Sequence, residues 1–195
     1  MKTVILYRSR HHGNTLRLVD AILAAHPEVD AIDVGALSKD ARPDIDRYHL
    51  VGVASGIYYS SMDKRLMRAV EAALRPGDKV FGLMTYGGRN NWYGRDLDGV
   101  CRMKHATYLG AYGALGYDTW GPFRLFGGLH KGHPSEQEIA DAVAFYDKIL
   151  DEYGDIIDEQ YAQRARRLSA EAANPRGGVV ALIKRTISSI AGHFS

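Results

Sequence analysis

The sequence contains one cysteine, Cys101. A lone thiol excludes an intrachain disulfide and points to a reducing compartment. No apolar run approaches the length that crosses a bilayer. No block of Lys and Arg of the kind that forms nucleic-acid tails is present, so nucleic acid is not an expected partner. The formal net charge is only +2, so the overall field selects no partner class. No secretory signal pattern appears: strand-like sequence begins at Thr3, and the first helical segment carries Arg17 and Asp20. These absences predict a soluble, cytoplasmic protein without internal repeats.

What is present is a chain of 195 residues, 46% hydrophobic, which suits one α/β domain with a substantial core and an appendage. Strand-like and helix-like segments alternate. Strands are predicted over Thr3–Tyr7, Val29–Val34, His49–Ala54, Lys79–Thr85 and Tyr117–Trp120. Helices are predicted over Thr15–Ala25, Asp63–Leu74 and Asp96–Gly113, the last weakened by Gly99 and Gly110. Ser135 and Glu138 have capping-box spacing ahead of a further helix with Ile139, Val143, Tyr146, Leu150 and Tyr153 on one face. The alternation predicts a parallel sheet covered on both faces. Residues 154–195 stand apart from this 1–153 domain as a C-terminal helical extension. One amphipathic helix carries Ile157, Tyr161, Ala165 and Leu168, a break falls over residues 174–178, and a second helix spans Val179–Ala191 with Lys184 and Arg185. Its apolar stripe docks on the protein's own domain or a second subunit, or makes a weak membrane-surface contact.

In such sheets ligands bind beyond the carboxyl ends of the strands. Three distinctive loops meet there: residues 8–14, 55–62 and 85–95. The first, Ser9-Arg10-His11-His12-Gly13-Asn14-Thr15, joins the first strand to the first helix. Helix-start amides lack intrahelical partners and the helix dipole is positive there, so a phosphate monoester suits the place. Ser9 and Thr15 offer hydroxyls, and the amides of His12, Gly13 and Asn14 offer backbone donors. The plain alternative is a strand-to-helix turn capped by Asn14 or Ser9.

Ser9-x-His11-His12-Gly13-Asn14-Thr15 resembles the phosphate loop of flavodoxin-like FMN-binding proteins, usually S/T-x-T-G-x-T. Ser55-Gly56-Ile57-Tyr58-Tyr59 and Thr85-Tyr86-Gly87-Gly88 sit where that family holds the two sides of the flavin. Gly121-Pro122-Phe123, Gly127-Gly128 and Lys131-Gly132-His133-Pro134 resemble a branch of small proteins of that family. The resemblance covers roughly residues 2–153. It implies a flavodoxin-like three-layer sandwich with a five-stranded parallel sheet of order 2-1-3-4-5, non-covalent FMN, and electron transfer to a redox partner protein or a small-molecule donor or acceptor. An NAD(P)H or quinone oxidoreductase of the same fold is the alternative, and a flavin-free signalling or interaction module a third reading. His11-His12 depart from the usual small hydroxyl residues. Electron-carrying flavodoxins are strongly acidic, whereas this chain is slightly basic.

For the ring, Tyr58, Tyr59, Tyr86 and Trp92 are candidate walls, or else core packing. Gly56 is either a peptide able to flip toward the reduced ring or a tight turn. Arg10, His11 and His12 place positive or titratable charge beside the phosphate, or else point to solvent while the backbone binds. No nucleophile, general acid or metal site is expected. Cys101 reads as a packing residue.

Overall fold

In the computed structural model, which describes residues 1–10, 12–39, 41–117 and 128–173, six strands and four helices follow one another. They are β1 (Thr3–Arg8), α1 (Asn14–Ala25), β2 (Val29–Asp33), β3 (Leu50–Tyr58), β4 (Ser61–Met62), α2 (Lys64–Ala73), β5 (Lys79–Tyr86), α3 (Arg95–Met103), β6 (Thr107–Leu115) and α4 (Glu136–Ala173). Five strands form a parallel path in the order β2-β1-β3-β5-β6, and β4 folds back antiparallel on the end of β3. This is the predicted 2-1-3-4-5 arrangement of a flavodoxin-like sandwich, counting the parallel strands alone.

Two-residue alternation sorts the apolar side chains between two layers. Val4 and Leu6 pack with Leu66 and Val70 of α2 and Leu97 and Cys101 of α3. Ile5, between them, packs with Val19 and Ile22 of α1 and Tyr146 and Ile149 of α4. The Tyr146 hydroxyl also donates to Thr3 Oγ1 at 2.8 Å inside this second layer.

The third prediction for a helix, Asp96–Gly113, is corrected. The helix ends at Met103, His105 turns with φ 55°, and the chain enters β6 along β5. Tyr108, Leu109 and Tyr112 satisfy a helical period and a strand period alike. The open edge of β5 decides between them, since an unpaired ladder is a strong template. Gly110, at φ 105°, lies where the β5–β6 register shifts, a bulge rather than a weak helix position. β6 is the fifth parallel strand; of the predicted strand Tyr117–Trp120, Tyr117 follows β6 outside any strand and residues 118–120 lie outside the described residues.

Burial pushes the Cys101 thiol up to about 12, with Asp98 adding to it. A thiol reagent at neutral pH is expected to leave the native protein unlabelled and to label one site after denaturation. Rapid native labelling would contradict the buried packing role.

The capping box at α4 forms as spaced. The Glu138 amide donates to Ser135 Oγ at 3.3 Å, and the Ser135 amide donates to Glu138 Oε2 at 2.8 Å. Glu138 also accepts from the Leu115 amide at 3.0 Å and pairs with His133 Nδ1 at 2.6 Å. Burial opposes ionisation of Glu138, but the donors of Ser135, His133 and Leu115 outweigh it and hold the carboxyl at about 2. A depressed carboxylate stabilises the fold above its unfolded value and loses that contribution as pH falls through the folded value. Glu138 therefore contributes on the order of 3 kcal/mol at neutral pH, lost between roughly pH 4.5 and 2. Glu138→Gln should lower urea stability at pH 7 and flatten the acid limb. A parallel acid limb in wild type and variant would refute this.

The chain divides into a compact unit Met1–Ile157 and a second unit Asp158–Ser195. Helix α4 runs unbroken from Glu136 to Ala173, where the sequence suggested two separate helices. The predicted break over 174–178 and the helix Val179–Ala191 lie outside the described residues. Among the described residues no helix is long and apolar enough to cross a membrane.

Candidate functional site

The carboxyl ends of β1, β3 and β5 deliver the three predicted segments to one edge of the sheet. After β1 the chain turns through His12 (φ 54°) and Gly13 (φ 68°) into α1. Gly13 is the helix cap, and no side chain caps the helix start. Its first turn holds no acidic residue, and a Cβ added at Gly13 would meet nothing within 4 Å. The other helix starts differ: Asp63 caps α2, Ser135 and Glu138 cap α4, and α3 carries Asp96 and Asp98 in its first turn. Positive potential at the start of α1 is thus met by no carboxylate of its own helix, and the space over Gly13 is open. That donor set fits a phosphate monoester.

The side chains of the loop behave less uniformly than its sequence suggests. Asn14 is buried and donates through Nδ2 to the Tyr117 carbonyl at 2.9 Å. Thr15 is buried, its Oγ1 2.8 Å from Thr85 Oγ1. One hydroxyl of that pair donates to the other, and the second keeps a proton for another acceptor. His12 packs its ring against Tyr117, with centroids 4.5 Å apart. Ser9 is half-buried and Arg10 exposed. His11 lies outside the described residues.

A buried carboxylate ties this loop to the next. Asp63 is only 3% exposed. It accepts from Arg8 Nη1 at 2.8 Å and from the Arg65 and Leu66 amides at 2.9 and 3.1 Å, while Arg10 Nη1 stands 3.6 Å away. Burial opposes its ionisation, yet the Arg8 guanidinium and the two amides prevail and depress its pKa. The Asp63 amide donates to Ser55 Oγ at 2.9 Å, and Ser55 donates to the Gly56 carbonyl at 2.6 Å. Arg10 also lies over the Tyr58 ring, 5.4 Å from its centroid. In the sequence Asp63 opens a predicted helix and Arg8 falls in the first loop, with no part in the site predicted for either. The signal for Asp63 was an acidic residue directly ahead of a helical period, the mark of an N-cap.

The segment 55–62, expected to be a loop, is mostly strand. Ser55, Gly56, Ile57 and Tyr58 lie in β3, with Gly56 opposite Thr85. Gly56 is thus neither a tight turn nor a loop peptide, because the ladder of β5 continues beside it. The turn falls at Tyr59 (φ 52°) and Ser60 (φ 67°), a two-residue hairpin connection of the type that matches strand twist. The Met62 amide donates to Asp96 Oδ2 at 2.7 Å and so fastens the hairpin to the start of α3.

The four candidate aromatic walls separate by environment. Tyr86 is buried, stacks 5.4 Å from Tyr93 and donates to the Gly113 carbonyl at 3.0 Å. Tyr58 is half-buried beneath Arg10. Burial raises the pKa of both hydroxyls. Tyr59 and Trp92, by contrast, are 88% and 64% exposed, one on the hairpin and one on the loop after β5. Gly87 and Gly88 begin that loop, and Arg95 covers one face of Trp92 at 4.0 Å. Packing therefore accounts for Tyr58 and Tyr86 and leaves Tyr59 and Trp92 presented at the edge.

No protein-family model matches the chain. The uncharacterized protein MJ0298 of Methanocaldococcus jannaschii is 34% identical over 152 residues, covering 77% of this chain and 99% of that protein. Among solved structures, oxidised flavodoxin 1 from Bacillus cereus is similar with a TM-score of 0.57 and 13% identity, over 78% of this chain and 99% of that one. An NADPH-quinone reductase from P. pentosaceus is similar with a TM-score of 0.51 and 11% identity, over 74% of this chain and 97% of that one. At such identities the likeness to the two structures is one of fold.

Proposed function

We propose that this chain, which belongs to the family of MJ0298 and has the flavodoxin-like fold, binds FMN at the carboxyl edge of its sheet and acts in electron transfer. The observation that carries the reading is the start of α1. It is capped by no side chain, free of carboxylates in its first turn and open above Gly13, while the other helix starts carry acidic residues. A phosphate there would accept from the amides that begin the helix and from the Ser9 hydroxyl, and Arg10 would add positive charge beside it. Tyr59 and Trp92 supply flat, polarisable surfaces for the ring, and Asp63 and Asp96 hold the loops that carry them. Bound FMN supplies electron chemistry, in one- or two-electron steps; the protein supplies orientation and electrostatics.

The test is a visible absorbance spectrum after mixing purified protein with FMN and desalting, repeated with riboflavin. A flavin band retained with FMN and lost with riboflavin is the expected result. Retention of neither overturns the reading. Bleaching of the band by anaerobic NADPH alone would move the assignment from electron carrier to NAD(P)H oxidoreductase.

A further inference from the structure

Charge at the carboxyl edge of the sheet is mostly of one sign. At the carboxyl edge the exposed charged side chains on the three loops and on the helix starts beside them are basic: Arg10 after β1, Lys64 opening α2, Arg89 after β5 and Arg95 opening α3. Of the carboxylates at the same place, Asp63 and Asp96 face inward and Glu136 is exposed. Asp63 is buried against Arg8, and Asp96 accepts from the Met62 amide. Glu136, which opens α4, is paired with Arg17 at 3.3 Å. The opposite end is mixed, with Lys2, Arg47, Arg102 and Lys148 exposed there. Exposed Asp151, Glu152 and Asp155 lie on α4 beyond Asp147, which meets His26 at the end of α1 at 2.7 Å. A chain with a formal charge of only +2 thus gathers four exposed cations, a basic rim, at one edge of its sheet. Two exposed aromatic rings, Tyr59 and Trp92, stand on two of the same three loops.

We infer that this basic rim docks an acidic electron-transfer protein, one that surrounds its own redox centre with carboxylates. The inference rests on the FMN reading, because only then is the rim the place where electrons pass. Segregated charge steers and orients a partner of complementary sign far more than it adds affinity. Tyr, Trp and Arg grouped together are also the side chains that dominate protein interfaces. The cations are spread over four segments of the chain. Arg95 is held on Trp92 and Arg10 on Tyr58, and Lys64 and Arg89 stand on separate elements.

The test is calorimetric titration of the FMN-treated protein with an acidic plant-type [2Fe–2S] ferredoxin, and with NADPH as a small anion. Ferredoxin binding at about 0.02 M NaCl is expected to weaken about tenfold or more at about 0.3 M, as the Debye length shrinks. Lys64→Glu combined with Arg89→Glu should weaken it about tenfold at low salt, while Lys2→Glu at the opposite edge should leave it within about twofold. No ferredoxin binding at low salt overturns the inference, as does binding that the double variant leaves unchanged. NADPH binding that collapses in the double variant while ferredoxin fails to bind would assign the rim to a small anion instead. The absorbance spectrum of the same sample reports whether FMN is bound. Docking without flavin defeats the cofactor reading, and flavin without docking defeats this inference alone.

Discussion

Gly13→Asp is expected to lower FMN affinity by about 100-fold or more while the protein stays folded. Gly13 sits at φ 68° with nothing within 4 Å of an added Cβ, so the new side chain has room. The left-handed backbone costs a non-glycine residue about 1 kcal/mol, and Asp and Asn bear it better than most. A carboxylate fixed at the start of α1 would then face the phosphate. Two like charges about 4 Å apart repel by about 4 kcal/mol at an effective dielectric near 20, and a phosphate monoester carries almost two. Partial exposure of the loop reduces this, which is why the expectation is set at about two orders of magnitude. Gly13→Asn has the same shape and backbone demand without the charge, and should stay within about fivefold of wild type. Titration of tryptophan or flavin fluorescence measures both affinities, and circular dichroism checks the fold. Wild-type affinity in a folded Gly13→Asp protein would remove the phosphate from this loop.

That loop was legible because its setting is local: a strand ending at Arg8, a glycine, then a helical period. The capping box at Ser135 and Glu138 was legible for the same reason. What escaped were features decided at a distance. Tyr108 to Tyr112 suit a helix and a strand equally, and only the unpaired edge of β5 makes them β6. Gly56 looked like a loop glycine because glycine is a weak strand residue. The β5 ladder reaches Gly56 itself, and pairing with β4 carries β3 on to Tyr58. The aromatic candidates were undivided in role, since burial of Tyr86 on Tyr93 and Gly113 depends on contacts that no local pattern encodes. The Asp63–Arg8 pair joins positions 55 residues apart in the chain, beyond the reach of any spacing rule.

That pair supports the second large expectation. Asp63→Ala should destabilise the protein by about 3–4 kcal/mol, and Asp63→Asn by about 2 kcal/mol. The alanine variant loses two things at once. The Arg65 and Leu66 amides lose their acceptor, a helix cap worth about 1 kcal/mol, and Arg8 loses its carboxylate partner. Stranding the charge of a largely buried pair is the costlier part, at up to about 3 kcal/mol. Asparagine caps as well as aspartate but carries no charge, so the difference between the variants isolates the cap. The sign of the pH dependence follows from the depressed carboxyl of Asp63. Its contribution is complete above its unfolded value near pH 4 and is lost as pH falls through its lower folded value. Both variants should therefore lie well below wild type in urea midpoint at pH 7 and converge on it in acid. Because Arg8 and Asp63 join the β1–α1 loop to α2, affinity for FMN held there should also fall in Asp63→Asn, and for a reason other than charge at the phosphate. Removing the carboxylate makes the site more positive, so a purely electrostatic role would instead tighten FMN. A weaker complex marks Asp63 as a positioning residue for the loop, a tighter one marks it as a counter-charge, and an unchanged urea midpoint would contradict the buried ion pair itself.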